Sequence, residues 1–183
     1  IVNYIGHGGE RGWAHERILN METIQSWTNL RRLPIFMTAT CELFRYDDPE
    51  IYSAGEAILF NPKGGAAALL TTTRTVYSAG NQQVNRAFFE TALDSDQGQR
   101  CLGDIYRDTK NSEAILAHTN SRNFSLMGDP GLEVAYPKHR VFLTDIPDTL
   151  KSLDLVTIRG YVGTESGDTL TEFDGAVVPT VFD

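Results

Sequence analysis

Residues 1–9 read IVNYIGHGG, and residues 34–42 read PIFMTATCE. Each segment is a short apolar run, typical of a buried strand, that ends at a chemically capable side chain: His7 in the first and Cys41 in the second. The 34-residue separation between His7 and Cys41 leaves room for one helix and the return strand of a βαβ unit. Because parallel strands end at the same edge of a sheet, the pattern predicts that the imidazole and the thiol meet in one crevice.

A histidine beside a cysteine is typical of nucleophilic catalysis. A free thiol has a pKa of about 8.5 and is mostly protonated at neutral pH, so a nearby imidazole must help to form the reactive thiolate. Gly8 follows His7 and has no Cβ, so its N–H and the N–H of Cys41 are candidates for an oxyanion hole. We therefore interpret His7, Cys41 and Gly8 as catalytic residues. The structural alternative is a buried thiol at Cys41 and a turn residue at His7.

The sequence up to residue 137 predicts an α/β domain. Apolar strand candidates alternate with helical patterns, which is typical of a mostly parallel sheet flanked by helices. The further predicted elements are a helix capped by Asn20, a helix that begins at the S-x-x-E capping box of residues 53–56, a strand at 65–71, a helix at 81–93 and a helix from about residue 112.

Residues 138–183 have a different character. Helical periodicity gives way to alternating runs, VTIRGYV at 156–162 and AVVPTVF at 176–182, with turn residues at 163–168. Such runs predict antiparallel strands. We interpret this segment as a second, all-β domain, the start of a small Ig-like β-sandwich.

Composition excludes several classes of protein. The net charge of −8 argues against nucleic-acid binding, which needs clustered lysine and arginine. No apolar stretch approaches the ~20 residues of a membrane span. Two cysteines are too few for a disulfide framework.

Four motifs resemble those of the gingipain-type cysteine peptidases, whose fold is related to that of the caspases. They are GHGG at 6–9, TATCELFRYDDP at 38–49, NPKGGAAALLTTTR at 61–74 and FSLMGDP at 124–130. The last three are similar to the PorU-like subgroup, the sortase of the type IX secretion system. The resemblance implies a caspase-like fold, and because the first residue already lies inside a strand, we expect the C-terminal half of the catalytic domain.

The resemblance implies a cysteine peptidase or a sortase-like transpeptidase. Cys41 would form a thioester with the substrate, which water hydrolyses or an amine converts to a new amide. The implied substrates are secreted proteins with C-terminal sorting domains, and the implied partners are other type IX secretion components. The implied location is extracytoplasmic, at the bacterial outer membrane and cell surface, with membrane association through those partners. The alternatives are a non-catalytic peptidase-like scaffold of a secretion complex and a plain gingipain-type endopeptidase.

Further candidate residues follow the second and third strands. The predicted substrate-binding residues are Glu42, Thr72, Thr73 and Arg74. Arg74 would hold a carboxylate or a polar main-chain group of the substrate, and Glu42 would orient His7 or the substrate amine. The structural alternatives are an ion pair from Arg74 to Glu42 or Asp47, and a solvated acid at Glu42.

No cofactor is expected, although the family resemblance implies calcium as a possible structural ion. Asp47, Asp48 and Glu50 are its candidate ligands, but they lack the spacing of a dedicated calcium loop, which favours a solvated turn. His7 and His15 lack a further histidine or a cysteine nearby, so their spacing is a weak pattern for a metal site. We interpret Cys101 as a buried thiol.

Overall fold

The strands predicted at 1–5, 34–41 and 65–71 become neighbours in one sheet of the computed structural model. The structure describes residues 1–94, 98–136, 139–147, 149 and 155–176. The strands are β1 (Val2–Ile5), β2 (Gly8–Gly9), β3 (Gly12–Trp13), β4 (Leu19–Asn20), β5 (Ile35–Ala39), β6 (Ala68–Thr72), β7 (Phe124–Gly128), β8 (Arg140–Asp145) and β9 (Arg159–Gly163). The helices are α1 (Met21–Ser26), α2 (Ala54–Leu59), α3 (Ser78–Ala92), α4 (Leu102–Asn111) and α5 (Thr119–Asn123).

The main sheet has the strand order β1-β5-β6-β7. β1, β5 and β6 are parallel, as the alternating pattern predicted, whereas β7 lies antiparallel to β6. A smaller antiparallel sheet, β2-β3-β4, is inserted between β1 and α1. The insertion begins directly after His7, so the histidine lies at the junction of the two sheets.

Two helices begin at the capping residues that the sequence predicted. The Thr23 N–H donates to Asn20 Oδ1 at 2.9 Å, which fixes the start of α1. At α2 the capping box is complete, since the Ser53 N–H donates to Glu56 Oε2 at 2.9 Å and the Glu56 N–H donates to Ser53 Oγ at 3.4 Å. Such caps satisfy N–H groups that have no partner within the helix.

The prediction of a helix from about residue 112 is wrong. Ser112 is the C-cap of α4, and the following residues form turns up to α5. α4 buries only Leu102, Ile105 and Thr109, so its apolar stripe is thin, and four of its ten residues are charged. The short apolar group around Ile115 led to the prediction of a helix. These residues instead form turns, and the Ile115 side chain is buried.

The core of this part of the chain lies between the main sheet and the helices. Phe36 and Leu69 are register partners on β5 and β6, and they pack in one cluster with Ile24 of α1 and Ile58 of α2. All four side chains are buried, and each contributes about 1.5–3 kcal/mol by leaving water. Helix α3 packs separately against β1 and β5. The helices thereby hold the carboxyl ends of β1 and β5 in fixed positions.

The chain divides into two compact units, Ile1–Val134 and Ala135–Asp183. In the second unit β8 pairs with β9, and Phe142 stacks on Tyr161 with 5.0 Å between ring centroids. The turn predicted at 163–168 is present, since the Gly167 N–H donates to the Thr164 carbonyl at 3.1 Å. The Ig-like sandwich stays a prediction.

Some predictions fall on undescribed positions. Residues 137 and 138, at the predicted domain boundary, lie outside the described residues, and so does the predicted strand at 176–182 apart from Ala176. None of the helices in the described part of the chain combines the length and the hydropathy that a membrane span requires.

Candidate active site

The carboxyl ends of β1 and β5 place both predicted catalytic residues at one edge of the main sheet. Ile5 lies opposite Ala39 in the parallel register. His7 and Cys41 therefore each lie two residues beyond the same paired position. The Gly6 N–H donates to the Ala39 carbonyl at 3.2 Å, which continues the pairing towards the two side chains.

Cys41 is a free, half-buried cysteine. Its thiol donates a hydrogen bond to the Val76 carbonyl, with 3.7 Å between sulfur and oxygen. Within the described part of the chain, no hydrogen bond joins the thiol to the exposed His7 ring, so the predicted contact is absent. Catalytic hydrogen bonds are often long before substrate binds.

The main chain before Cys41 is held by buried side chains from β6 and α3. The Thr72 hydroxyl donates to the Thr40 carbonyl. The Asn81 side chain donates to the Ala39 carbonyl at 3.1 Å. Both donors are buried, so water does not compete for these bonds.

Asn81 and Asn120 form a supporting network that the sequence analysis missed. Asn120 is fully buried and donates to Asn81 Oδ1 at 3.0 Å and to the Tyr77 carbonyl at 2.6 Å. The Tyr77 N–H donates back to Asn120 Oδ1 at 3.1 Å. The sequence contained a signal for part of this network. Asn81 and Asn85 lie beside Val84 on the inner face of the predicted helix, and a buried amide normally has hydrogen-bond partners.

The backbone of His7 is held from two directions. Its carbonyl accepts hydrogen bonds from the Ala14 N–H and from the Tyr4 hydroxyl, each at 2.8 Å. The ring of His7 is exposed and lines a cavity of about 770 Å³ whose other walls come from the β2-β3-β4 insertion and the start of α1. Cys41 does not line this cavity. Another cavity of about 640 Å³ lies beside α3 and α4 and includes neither residue.

Gly8 packs directly against the residue before the cysteine. A Cβ at Gly8 would lie 2.1 Å from Thr40 Oγ1 and 2.8 Å from the Gly12 carbonyl oxygen, so only glycine fits there. The bond from Ala14 to the His7 carbonyl makes Gly8 and Trp13 a non-hydrogen-bonded pair. The small sheet therefore leaves the Gly8 N–H unpaired, as an oxyanion donor must be.

An ionic cluster centred on Arg45 joins the loop after the cysteine to the insertion after the histidine. Arg45 Nη1 lies 2.5 Å from the carboxylate of Glu10, in the turn between β2 and β3, and 3.8 Å from that of Glu42. Its Nη2 lies 3.4 Å from the carboxylate of Asp48. The hydrogen bond to Glu10 raises the pKa of Arg45. Glu42 therefore pairs with Arg45, and its backbone has a left-handed φ of 52°.

The remaining predicted substrate-binding side chains bind the protein itself. Arg74 forms a two-pronged ion pair with Asp47, with 2.9 Å from Nη1 to Oδ1, and also donates to the Thr73 carbonyl at 2.7 Å. This is the structural alternative considered for Arg74. Thr72 and Thr73 are buried, and the Thr73 hydroxyl donates to the Asn123 carbonyl at 3.4 Å. Substrate contacts by these residues and Glu42 stay predictions.

The carboxylates considered for calcium are engaged with arginines. Asp47 pairs with Arg74, and Asp48 pairs with Arg45. In the described ranges no group of three or more His, Cys, Asp and Glu side chains is arranged to hold a metal ion. A calcium site here would have to break at least one of these ion pairs.

Cys101 is not a buried thiol, contrary to the sequence-based interpretation. It is half-buried, at the N-cap of α4, and its thiol donates to Asp104 Oδ2 at 3.3 Å. The neighbours of Cys101 in sequence, Arg100 and Leu102, gave no sign of this, because helix α4 itself was not predicted. Cys101 thus provides an internal comparison for Cys41, with similar exposure and different surroundings.

We expect the Arg74–Asp47 pair to make a small part of the stability pH-dependent. Its hydrogen bond lowers the pKa of Asp47 below 3.8. A lowered folded-state pKa gives stability that is present above the unfolded value and lost as pH falls through the folded one. The unfolding free energy of wild type should therefore exceed that of Asp47→Asn at neutral pH, and the difference should shrink below about pH 4. Exposure of both groups keeps the effect small.

Urea unfolding over an acid pH series would measure this difference. Glu50→Gln is a suitable control, because it removes a neighbouring carboxylate that is not paired with Arg74. A difference for Asp47→Asn that stays constant through the acid range would contradict the prediction.

Comparisons with known proteins give one matching family and several similar solved structures. The model of peptidase family C25 matches residues 1–135. No curated protein matches the chain in sequence. Among solved structures, the Arg-specific cysteine proteinase gingipain R (RgpB) is similar, with a TM-score of 0.61 and 18% identity over 78% of this chain and 36% of that chain. The complex of Porphyromonas gingivalis RgpB pro- and mature domains gives the same values.

A structure described as a protease is also similar, with a TM-score of 0.63 and 16% identity over 93% of this chain and 48% of that chain. The chain thus spans 36% to 48% of the length of these solved chains. At such identities the likeness shows the fold alone. It confirms the predicted caspase-like α/β architecture, with a mostly parallel sheet flanked by helices.

Proposed function

Because the chain belongs to peptidase family C25, we propose that it carries the nucleophile Cys41 and the general acid–base His7 of a cysteine peptidase. The observation that supports this assignment is the parallel register of β1 and β5. It brings His7 and Cys41 out at one sheet edge, each two residues beyond the Ile5–Ala39 pair.

The proposed reaction begins when the Cys41 thiol leaves the Val76 carbonyl and gives its proton to His7. The thiolate attacks the substrate carbonyl carbon, and the developing oxyanion accepts hydrogen bonds from the N–H groups of Gly8 and Cys41. The carbon–nitrogen bond then breaks as His7 returns the proton to the leaving amine. The product of this half-reaction is a thioester on Cys41.

The fate of the thioester defines the finer proposal. We propose that an amine attacks it, so that the enzyme acts as a sortase-like transpeptidase rather than a simple hydrolase. Residues 38–49 support this, because their sequence is similar to the PorU-like subgroup. The proposed substrates are secreted proteins with C-terminal sorting domains. The proposed setting is the bacterial cell surface, in contact with other type IX secretion components.

A plain endopeptidase is the second candidate. It is favoured by the fold shared with RgpB, which is an Arg-specific cysteine proteinase. Both candidates use the same residues up to the thioester. They differ only in the second nucleophile, so product analysis separates them.

The test is to incubate the native protein with a secreted substrate that carries its sorting domain, in the presence of rising concentrations of a small primary amine. Mass spectrometry then measures the new carboxyl end of the substrate. We expect an amide adduct whose share grows with amine concentration and which is absent with Cys41→Ala. Only the free acid would favour the endopeptidase. No cleavage by a protein with an intact Cys41 would favour the non-catalytic scaffold.

A further inference from the structure

We propose that Tyr4 is a positioning residue that sets the direction of the Gly8 N–H in the oxyanion hole, an inference that rests on the proposed function. Tyr4 lies on β1, three residues before His7. Its hydroxyl donates to the His7 carbonyl oxygen at 2.8 Å. The bond is to the main chain, so it leaves the imidazole ring free for proton transfer.

The geometry of the peptide bond carries this contact to Gly8. The His7 carbonyl and the Gly8 N–H belong to one peptide unit, and the described residues contain no cis peptide bond. A trans peptide is planar, and its C=O and N–H point in opposite directions. Donors that hold the His7 oxygen therefore also fix where the Gly8 N–H points. Tyr4 and Ala14 are these two donors.

The ring of Tyr4 is itself held rigidly. It stacks on Trp13 with 4.4 Å between ring centroids and 8° between ring planes. Trp13 is the register partner of Gly8 across the small sheet. The Tyr4 ring also lies against Gly6, where a Cβ would come within 2.6 Å of its hydroxyl. This packing restricts rotation of the Tyr4 ring and so holds its hydroxyl in one position.

The hydroxyl also remains protonated under working conditions. Burial raises the pKa of Tyr4 above its ordinary value of 10.0, and the nearby negative charge of Glu16 adds to the effect. Tyr4 is therefore a hydrogen-bond donor throughout the neutral range. An oxyanion-hole donor must be aligned before the transition state forms, since reorientation during reaction adds to the barrier.

Tyr4→Phe tests the proposal, because it removes the hydroxyl and keeps the stacked ring. Loss of a whole oxyanion-hole donor lowers kcat by about 10²–10³, so misalignment of one should lower it by roughly tenfold, with KM within about twofold of wild type. Alkylation of Cys41 by iodoacetamide passes through no oxyanion. We therefore expect its rate, measured by peptide mass mapping, to stay within about twofold of wild type.

Tyr161→Phe is the matched control. The Tyr161 hydroxyl donates to the Gly167 carbonyl at 3.1 Å, so the same chemical change breaks the same kind of bond in the second unit. We expect this variant to keep wild-type kcat. It controls for the general effect of losing one tyrosine hydroxyl on folding.

Two outcomes would overturn the role of Tyr4. One is a wild-type kcat in Tyr4→Phe. The other is an equal fall in turnover and in Cys41 alkylation, which would mean that the variant disturbs the thiol, the imidazole or the fold. Failure of the proposed function looks different, because Cys41→Ala would then retain turnover. An inactive Cys41→Ala beside a fully active Tyr4→Phe would remove only this inference.

Discussion

Replacement of Cys41 by alanine is expected to abolish turnover, with a loss of about 10⁴-fold or more in kcat, because no other described group replaces the nucleophile. Cleavage of a secreted substrate, followed by gel electrophoresis and mass spectrometry, would measure it. Under the proposed sortase function, the same substitution in the producing organism should leave secreted proteins with their C-terminal sorting domains attached.

The stability of the Cys41→Ala variant should change little. The side chain is half-buried and its hydrogen bond to Val76 is long, so the lost contacts are few. Cys101→Ala is the matched control, since it removes the other half-buried thiol, and it should keep turnover within about twofold of wild type. Turnover of more than a few per cent by a folded Cys41→Ala protein would contradict the assignment of the nucleophile.

The second large effect is expected at Gly8. In Gly8→Ala the new Cβ would lie 2.1 Å from Thr40 Oγ1, which cannot be tolerated without movement of the chain on either side. Overpacking of this kind destabilises by about 1–3 kcal/mol. The displaced segments also carry the proposed catalytic residues, so we expect a loss of roughly 10²-fold in kcat. Thermal unfolding and steady-state kinetics would measure the two effects.

Gly9→Ala is the matched control for Gly8→Ala. A Cβ at Gly9 would have no atom within 4 Å, so this variant should resemble wild type. Thr40→Ala in the Gly8→Ala background removes the colliding hydroxyl and should restore part of the activity. The Gly12 carbonyl, at 2.8 Å from the added Cβ, prevents full recovery. Equal effects at Gly8 and Gly9 would show that close packing on Thr40 is unimportant.

The strands and caps of the first unit could be predicted because their signals are local. An apolar run that ends at a functional side chain predicted β1 and β5, and Asn20 and Ser53 marked the starts of α1 and α2. The common edge for His7 and Cys41 then followed from the rule that parallel strands share a direction. Local patterns thus located the candidate site.

The contacts around that site could not be predicted in the same way. The donation from Tyr4 to the His7 carbonyl depends on the turn at Gly6, and the bond from Thr72 to Thr40 joins residues far apart in sequence. For Arg74 the sequence left two hypotheses open, a contact with substrate and an ion pair with a nearby acid, and the structure shows the ion pair with Asp47. Pairings of this kind depend on register and loop geometry, which residue type and spacing do not specify.

One backbone oxygen atom links the segment that carries His7 to the segment that carries Cys41. The Ala39 carbonyl accepts from the Gly6 N–H at 3.2 Å and from the Asn81 side chain at 3.1 Å. A displacement of α3 is therefore transmitted to the segments before His7 and before Cys41 together. We therefore expect His7 and Cys41 to move together when α3 moves, so that the distance between them changes less than the position of either residue.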